Sequence, residues 1–183
     1  FYGRGLPELL KKGVQLVEES EGEKAIIYGH HVDEPERYGV IEWTNDYEII
    51  SIEEKPIEPK SNCASVGLYM YDNSVVKLAE KIKPSSRGEL EITDINNLYL
   101  KKNNLSLSML GRGYTWFDAG TYDSLLESAM FIQTIEKRQA MKVACIEEVA
   151  YHMGFINTEQ LLSVAQGIKN KEYASYLQKL TKQ

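Results

Sequence analysis

Two short apolar alternations around a polar turn constrain this chain most. Val40-Ile41-Glu42-Trp43 and Glu48-Ile49-Ile50-Ser51-Ile52 flank Thr44-Asn45-Asp46-Tyr47, with Asn and Asp where a chain reversal needs them. The period of two predicts an antiparallel hairpin. Its outer ends lie side by side, so Gly39, ahead of the first strand, is expected beside Glu54-Lys55, after the second. Pro56 ends the ladder there and leaves Glu53, Glu54 and Lys55 at a strand end. In α/β sheets such loops hold ligand groups on a fixed backbone. A carboxylate accepts hydroxyl protons and a lysine is a point charge for phosphate, so the pair suits a phosphorylated, hydroxyl-rich ligand. The same residues also suit a solvated turn.

The rest of the chain alternates. Leu6 to Glu19 reads as a helix with Pro7 in its first turn and Gly13 interrupting it, followed by a turn at Ser20 to Glu23. Ala25 to Tyr28 is short and apolar enough for a central strand. Ala64 to Tyr71 reads as a strand with Val66, Leu68 and Met70 on one face, and Asp72 caps a helix over 73–82. A helix over Glu91 to Lys101 turns Ile95, Leu98 and Tyr99 inward, and Leu105 to Leu110 is a strand. Gly111-Arg112-Gly113 makes a tight turn before a strand, Tyr114 to Asp118, that ends in a carboxylate. A long helix to about Ala140 has Leu125, Leu126, Ala129, Ile132 and Ile135 as its inward stripe, and three short helices follow, at 147–153, 159–165 and 172–180. This order predicts an α/β fold with a mixed β-sheet flanked by helices and a C-terminal helical appendage.

Composition narrows the function. A net charge of -6 argues against a nucleic-acid partner, so anionic ligands must be met by local cations or a metal. No apolar run approaches the roughly 18 residues of a membrane span. Cys63 and Cys145 form no disulfide framework or ligand spacing, nor do His30, His31 and His152 form a zinc pattern, so a reducing, cytoplasmic setting is expected. The chain starts on Phe1-Tyr2-Gly3 without an initiator Met, as a fragment, a processed form or a trimmed chain would.

Read in order, Phe1-Tyr2-Gly3, Pro35-Glu36-Arg37-Tyr38-Gly39-Val40, Glu53-Glu54-Lys55-Pro56, Pro59-Lys60-Ser61-Asn62, Gly67-Leu68-Tyr69, Arg87 to Asn96 and Trp116-Phe117-Asp118-Ala119-Gly120-Thr121 resemble the glucose-1-phosphate thymidylyltransferases. Glu136-Lys137-Arg138-Gln139 and Lys142-Val143 resemble the family's C-terminal helical region. The resemblance implies a Rossmann-like nucleotide-diphospho-sugar transferase fold, with 1–141 as the sugar-binding part of the α/β domain and 142–183 as a helical extension. It implies synthesis of dTDP-glucose and pyrophosphate from dTTP and glucose 1-phosphate, for dTDP-rhamnose and cell-surface polysaccharide, by a Mg²⁺-dependent homo-oligomer, a tetramer when intact. The family's Gly-rich phosphate loop and its first metal-binding aspartate have no counterpart here, so the chain is expected to be the sugar-binding and C-terminal part, inactive alone. A non-catalytic oligomerisation or sugar-phosphate-binding remnant and a uridylyltransferase are the alternatives.

Roles follow position by position. The resemblance makes Gly39 a backbone contact to the hexose, which a turn glycine would equally explain. It makes Glu54 the carboxylate for sugar hydroxyls, Lys55 the catalytic lysine that holds the sugar phosphate, and Tyr69 a pocket tyrosine. Asp118 corresponds to a magnesium-binding aspartate, where an N-cap for the next helix is the alternative. Ser65 stands where the family commonly has a valine lining the sugar pocket, a departure in the detail of sugar contact. Tyr2, Gly3, Arg112 and Glu148 fall at positions resembling a regulatory site for a dTDP-sugar at a subunit interface.

Overall fold

In the computed structural model, which describes residues 1–20 and 22–182, the chain forms two compact units, Phe1–Trp116 and Phe117–Gln183. The first unit runs β1 (Tyr2–Gly3), α1 (Leu6–Glu18), β2 (Ala25–His31), a 3-10 turn (Pro35–Arg37), β3 (Gly39–Trp43), β4 (Ile49–Glu54), β5 (Cys63–Tyr71), α2 (Val75–Ala79), α3 (Ile92–Leu100), β6 (Leu105–Met109) and β7 (Tyr114–Thr115). The second holds α4 (Tyr122–Gln139), α5 (Ile146–His152), α6 (Thr158–Gly167) and α7 (Lys171–Leu180). The expected turn at Ser20 to Glu23 includes Glu21, which lies outside the described residues. Among the described residues no helix is long and apolar enough to cross a membrane.

Five strands form one mixed sheet in the order β4-β3-β5-β2-β6. The hairpin β3-β4 and the pairs β3-β5 and β2-β5 are antiparallel, while β2 and β6 are parallel. Period-two alternation sorts the core into faces. Ile26, Tyr28 and Val66 pack with Leu9, Leu10 and Val17 of α1, whereas Ala25 packs with Leu78, Ile95 and Tyr99 under the other helices. Ile27 joins Ile41, Ile52 and Cys63 on that second side. Because both faces of β2 are covered, Ala25 to Tyr28 is apolar throughout.

Gly13 does not interrupt α1, which passes through it unbroken. A Cβ there would lie 2.2 Å from Tyr28 Oη and 2.8 Å from Met70 Sδ, so the glycine lets the helix close onto β2 and β5. The expected strand over 114–118 is shorter: β7 stops at Thr115 because its partner β1 is two residues long, and Asp118 follows in irregular backbone. The helix expected over 73–82 is reduced to α2, with Asp72 Oδ2 accepting from Ser74 N at 2.9 Å.

In the second unit, Leu161, Ala165, Leu177, Leu180 and Cys145 form a core of their own. Tyr173 and Tyr176 of α7 donate to Glu147 and Glu148 of α5 at 2.5 and 2.6 Å. α4 differs from expectation. Leu125, Leu126 and Ile132, the expected inward stripe, are exposed, and no residue of α4 is buried. The ties that hold α4 to the tail are polar and sit at its last turn, where Lys142 Nζ donates to Glu136 at 2.9 Å and Val143 N donates to Glu136 Oε1 at 3.0 Å. α4 therefore groups with the tail helices, and the units divide after Trp116 where the sequence suggests a boundary after 141.

Lys142 also donates to Glu172 at 3.2 Å, so one ammonium joins α4 to α7. Its hydrogen bond holds Glu136 below the usual 4.5, and the same bond raises Lys142 above 10.5. A depressed carboxylate stabilises the fold above its unfolded pKa and loses that contribution as pH falls through the folded value. The raised lysine contributes below its unfolded pKa and loses that contribution at alkaline pH. We expect urea unfolding followed by circular dichroism to show Lys142→Met losing less stability than wild type between neutral pH and about pH 3. Parallel curves would contradict this clasp.

Candidate functional site

The hairpin register sets the site. Gly39 pairs with Glu54 on one side and with Ser65 on the other, so three strands place these residues in one row. Cross-strand partners share a face, and this row meets α3. Alternation along β4 divides the two carboxylates. Glu53 is held by Lys60 Nζ at 2.5 Å, while Glu54 Oε2 accepts from Thr93 Oγ1 at 2.5 Å. Gly39 lies between them: a Cβ would sit 3.1 Å from Thr93 Oγ1, 3.3 Å from Glu54 Oε2 and 3.7 Å from Ser65 Cβ. The missing side chain leaves a small hollow lined by a carboxylate and two hydroxyl-bearing residues.

The hollow continues along β5. Ser65 is buried and its Oγ has no hydrogen-bond partner. Two residues on, Gly67 is exposed and nothing lies within 4 Å of where its Cβ would be. Tyr69 is next on the same face, its ring stacked on Tyr71 with centroids 6.0 Å apart. Burial raises the pKa of Tyr69, Ser65 eases the shift, and the charge of Glu54 adds to it, which places Glu54 within electrostatic reach of the phenol. A glycine flanked by a buried serine and a tyrosine gives the strand an open shelf.

Arg87 closes the other side of Glu54. Its Nη1 lies 3.7 Å from Glu54 Oε1 and 3.5 Å from Glu91 Oε1, and its Nη2 lies 2.7 Å from Glu89 Oε2. Buried Glu91 also accepts from Ser85 Oγ at 2.8 Å. Thr93 and Glu91 carry no weight in a reading of the sequence residue by residue. The signal that could have found Thr93 is its spacing from Asn96 and Asn97, three polar residues on the inward side of α3: Asn96 is fully buried and Asn97 Nδ2 donates to Ile52 O at 3.2 Å.

Lys55 is exposed and its backbone is strained, with φ of 43° directly before Pro56. A residue preceding proline is steered to extended conformations, and a left-handed non-glycine residue costs free energy. The amide of Lys55 donates to Tyr38 O at 2.9 Å, which holds the chain in that turn. The sequence shows a lysine before a proline and gives no sign of the strain.

Asp118 belongs to the second unit. It is not the cap of α4, since Thr121 and Ser124 form a reciprocal capping box there. Its carboxylate turns toward Gly120, whose Cβ would lie 3.2 Å from Asp118 Oδ2. Tyr2 and Gly3 pair with Thr115 and Tyr114, and a Cβ at Gly3 would meet Gly113 O at 3.0 Å, so the Arg112 turn stands beside β1. Glu148, in the second unit, accepts from Tyr176 and lies 3.7 Å from His152 Nε2. His30 and His31 face Leu110 O and Asn62 Oδ1, and both cysteines are buried thiols, with burial pushing Cys63 up to about 12.

Residues 1–135 match the profile of the family described as nucleotidyl transferase, and the chain belongs to that family. A glucose-1-phosphate thymidylyltransferase of Neisseria meningitidis serogroup A is 43% identical over 182 residues, covering 100% of this chain and 62% of that protein. This chain therefore spans about three fifths of the length of that relative. A crystal structure from Bacillus anthracis in complex with a sucrose, assigned as a glucose-1-phosphate thymidylyltransferase, is 43% identical with a TM-score of 0.58, over 72% of this chain and 50% of that one. UDP-glucose pyrophosphorylase complexed with UDP-glucose is 23% identical with a TM-score of 0.61, over 73% of this chain and 52% of that one, a likeness of fold. The mixed sheet with flanking helices is thus the Rossmann-like fold of the nucleotide-sugar transferases.

The strain at Lys55 makes a prediction independent of any ligand. Glycine adopts a left-handed φ without penalty, so Lys55→Gly is expected to raise unfolding stability by about 0.5–1 kcal/mol after its own entropic cost. Thermal unfolding measures it, and a clear loss of stability would show that the lysine side chain, not its ligand, justifies the conformation.

Proposed function

We propose that the protein supplies the sugar-phosphate side of a nucleotidyltransferase that forms dTDP-glucose and pyrophosphate from dTTP and glucose 1-phosphate. The observation that carries this reading is the row Gly39, Glu54 and Ser65 under Thr93, with a strained Lys55 following Glu54. A hexose hydroxyl can enter the space above Gly39, and the acceptor-only carboxylate of Glu54 takes its proton in a hydrogen bond. Thr93 fixes the carboxylate rotamer, so the acceptor is in place before the sugar arrives. Lys55 is the cation for the sugar phosphate, and Arg87, close to Glu54, is a second one.

In the reaction a phosphate oxygen of the sugar phosphate attacks the α-phosphorus of the nucleotide. A new P–O bond forms as the bond to the bridging oxygen breaks, and pyrophosphate leaves with the electron pair. The protein contributes orientation and charge rather than covalent chemistry. We assign Asp118 to a magnesium ion. Its carboxylate is a hard oxygen donor, does not cap α4, and stands beside a glycine that adds no bulk. Among the described residues no three or more His, Cys, Asp or Glu form a cation cage, which suits an ion that completes its shell with phosphate and water. When bound, magnesium neutralises phosphate charge. The two buried free cysteines favour a reducing, cytoplasmic setting. Homo-oligomerisation, with a regulatory nucleotide-sugar site drawing on Tyr2, Gly3, Arg112 and Glu148, belongs to the same proposal.

Calorimetric titration of glucose 1-phosphate into the chain tests the sugar side. We expect Glu54→Gln and Lys55→Ala each to weaken binding by about 1.5–3 kcal/mol, roughly ten- to hundredfold, with unchanged circular dichroism. Wild-type affinity in both variants would overturn the assignment. Pyrophosphate release compared across dTTP, UTP and ATP then separates a thymidylyl from a uridylyl or adenylyl transferase.

A further inference from the structure

Ser65 is the buried polar group for which the fold itself finds no use. Its Oγ is unpartnered, while a buried hydroxyl without a hydrogen bond is a cost that alanine or valine at the same place would avoid. Tyr69 Oη is near enough for the serine to ease the upward shift of its titration, yet it closes no bond to it. The residues around the space above Gly39 differ in what they offer. Glu54 accepts only, and the proton of Thr93 Oγ1 is committed to Glu54. Ser65 holds the one uncommitted hydroxyl proton among these three residues.

We propose that Ser65 determines sugar specificity, donating a hydrogen bond from Oγ to the ring hydroxyl whose own proton goes to Glu54. This inference rests on the sugar-phosphate reading above and adds the chemistry of one contact. A hydroxyl both donates and accepts, so it satisfies Glu54 and Ser65 together. A hydrogen at that ring carbon leaves Ser65 unpaired, and an ammonium there offers it no acceptor. A valine at this position would give the ring shape alone. The site is therefore built to reject a hexose 1-phosphate lacking that hydroxyl, because polar groups arranged for a partner are penalised when it is missing.

The test is calorimetric titration of glucose 1-phosphate and its monodeoxy series into wild type, Ser65→Val, Ser65→Ala and Glu54→Gln, with circular dichroism to confirm folding. Wild type should bind one monodeoxy sugar phosphate about five- to tenfold more weakly than the rest of the series, from loss of one hydrogen bond. In Ser65→Val and Ser65→Ala, glucose 1-phosphate should weaken by a similar factor and the discrimination against that monodeoxy compound should largely vanish. If both serine variants bind the whole series as wild type does while Glu54→Gln loses affinity, the role of Ser65 is overturned and the sugar-phosphate reading stands. A uniform loss across the series in both serine variants also overturns it, since that is a packing effect. No binding of glucose 1-phosphate by wild type overturns both.

Discussion

The hydrogen bond from Thr93 Oγ1 to Glu54 Oε2, made across the space a side chain at residue 39 would occupy, joins the helical layer to the sheet at the point where ligand chemistry is concentrated. It needs three things from the fold. β3 and β4 must be in the register that sets Gly39 against Glu54, β5 must run beside β3 so that Ser65 completes the row, and α3 must lie over that face with Thr93 inward. Ile95 and Tyr99 secure α3 through the apolar cluster that includes Ala25 and Leu78. Core packing thus positions polar groups that would be costly to bury without partners.

Two costs gather at this end of the sheet. Lys55 holds a left-handed backbone ahead of a proline, and Ser65 keeps a buried hydroxyl unpaired. Neither improves the free protein. Strain and unsatisfied polarity that persist beside a carboxylate, an arginine and an open glycine shelf are what a pre-organised binding site accepts in return for paying less when its ligand arrives. Glu53 is the internal control: one residue away, it faces the other side, is neutralised by Lys60, and takes no part in the row.

Much of this was legible in the sequence. The alternation around Thr44 to Tyr47 required a hairpin, and a hairpin required Gly39 and Glu54 at one end, as the register shows. The apolar run at Ala25 required a strand buried on both faces. What escaped depends on relations that no short stretch encodes. Gly13 reads as a helix breaker until Tyr28 and Met70 are seen against it. Thr93, Asn96 and Glu91 are polar, so an apolar stripe through Ile95 and Tyr99 leaves them out although all three are buried. The stripe on α4 misled in the opposite direction, since apolar spacing fixes which residues share a face and not whether anything covers it. Asp118 was expected at a strand end, but strand length depends on a partner, and β1 offers two residues.

The claim on which the account turns is that the end of the β3-β4 hairpin, under α3, is a pocket for a sugar phosphate. Amide chemical-shift mapping of the isotope-labelled chain during titration with glucose 1-phosphate tests it directly. The account predicts saturable shifts that concentrate at Gly39, Glu54, Lys55, Ser65, Gly67, Arg87 and Thr93. Shifts confined to α4 through α7, or spread without saturation over the surface, would contradict it.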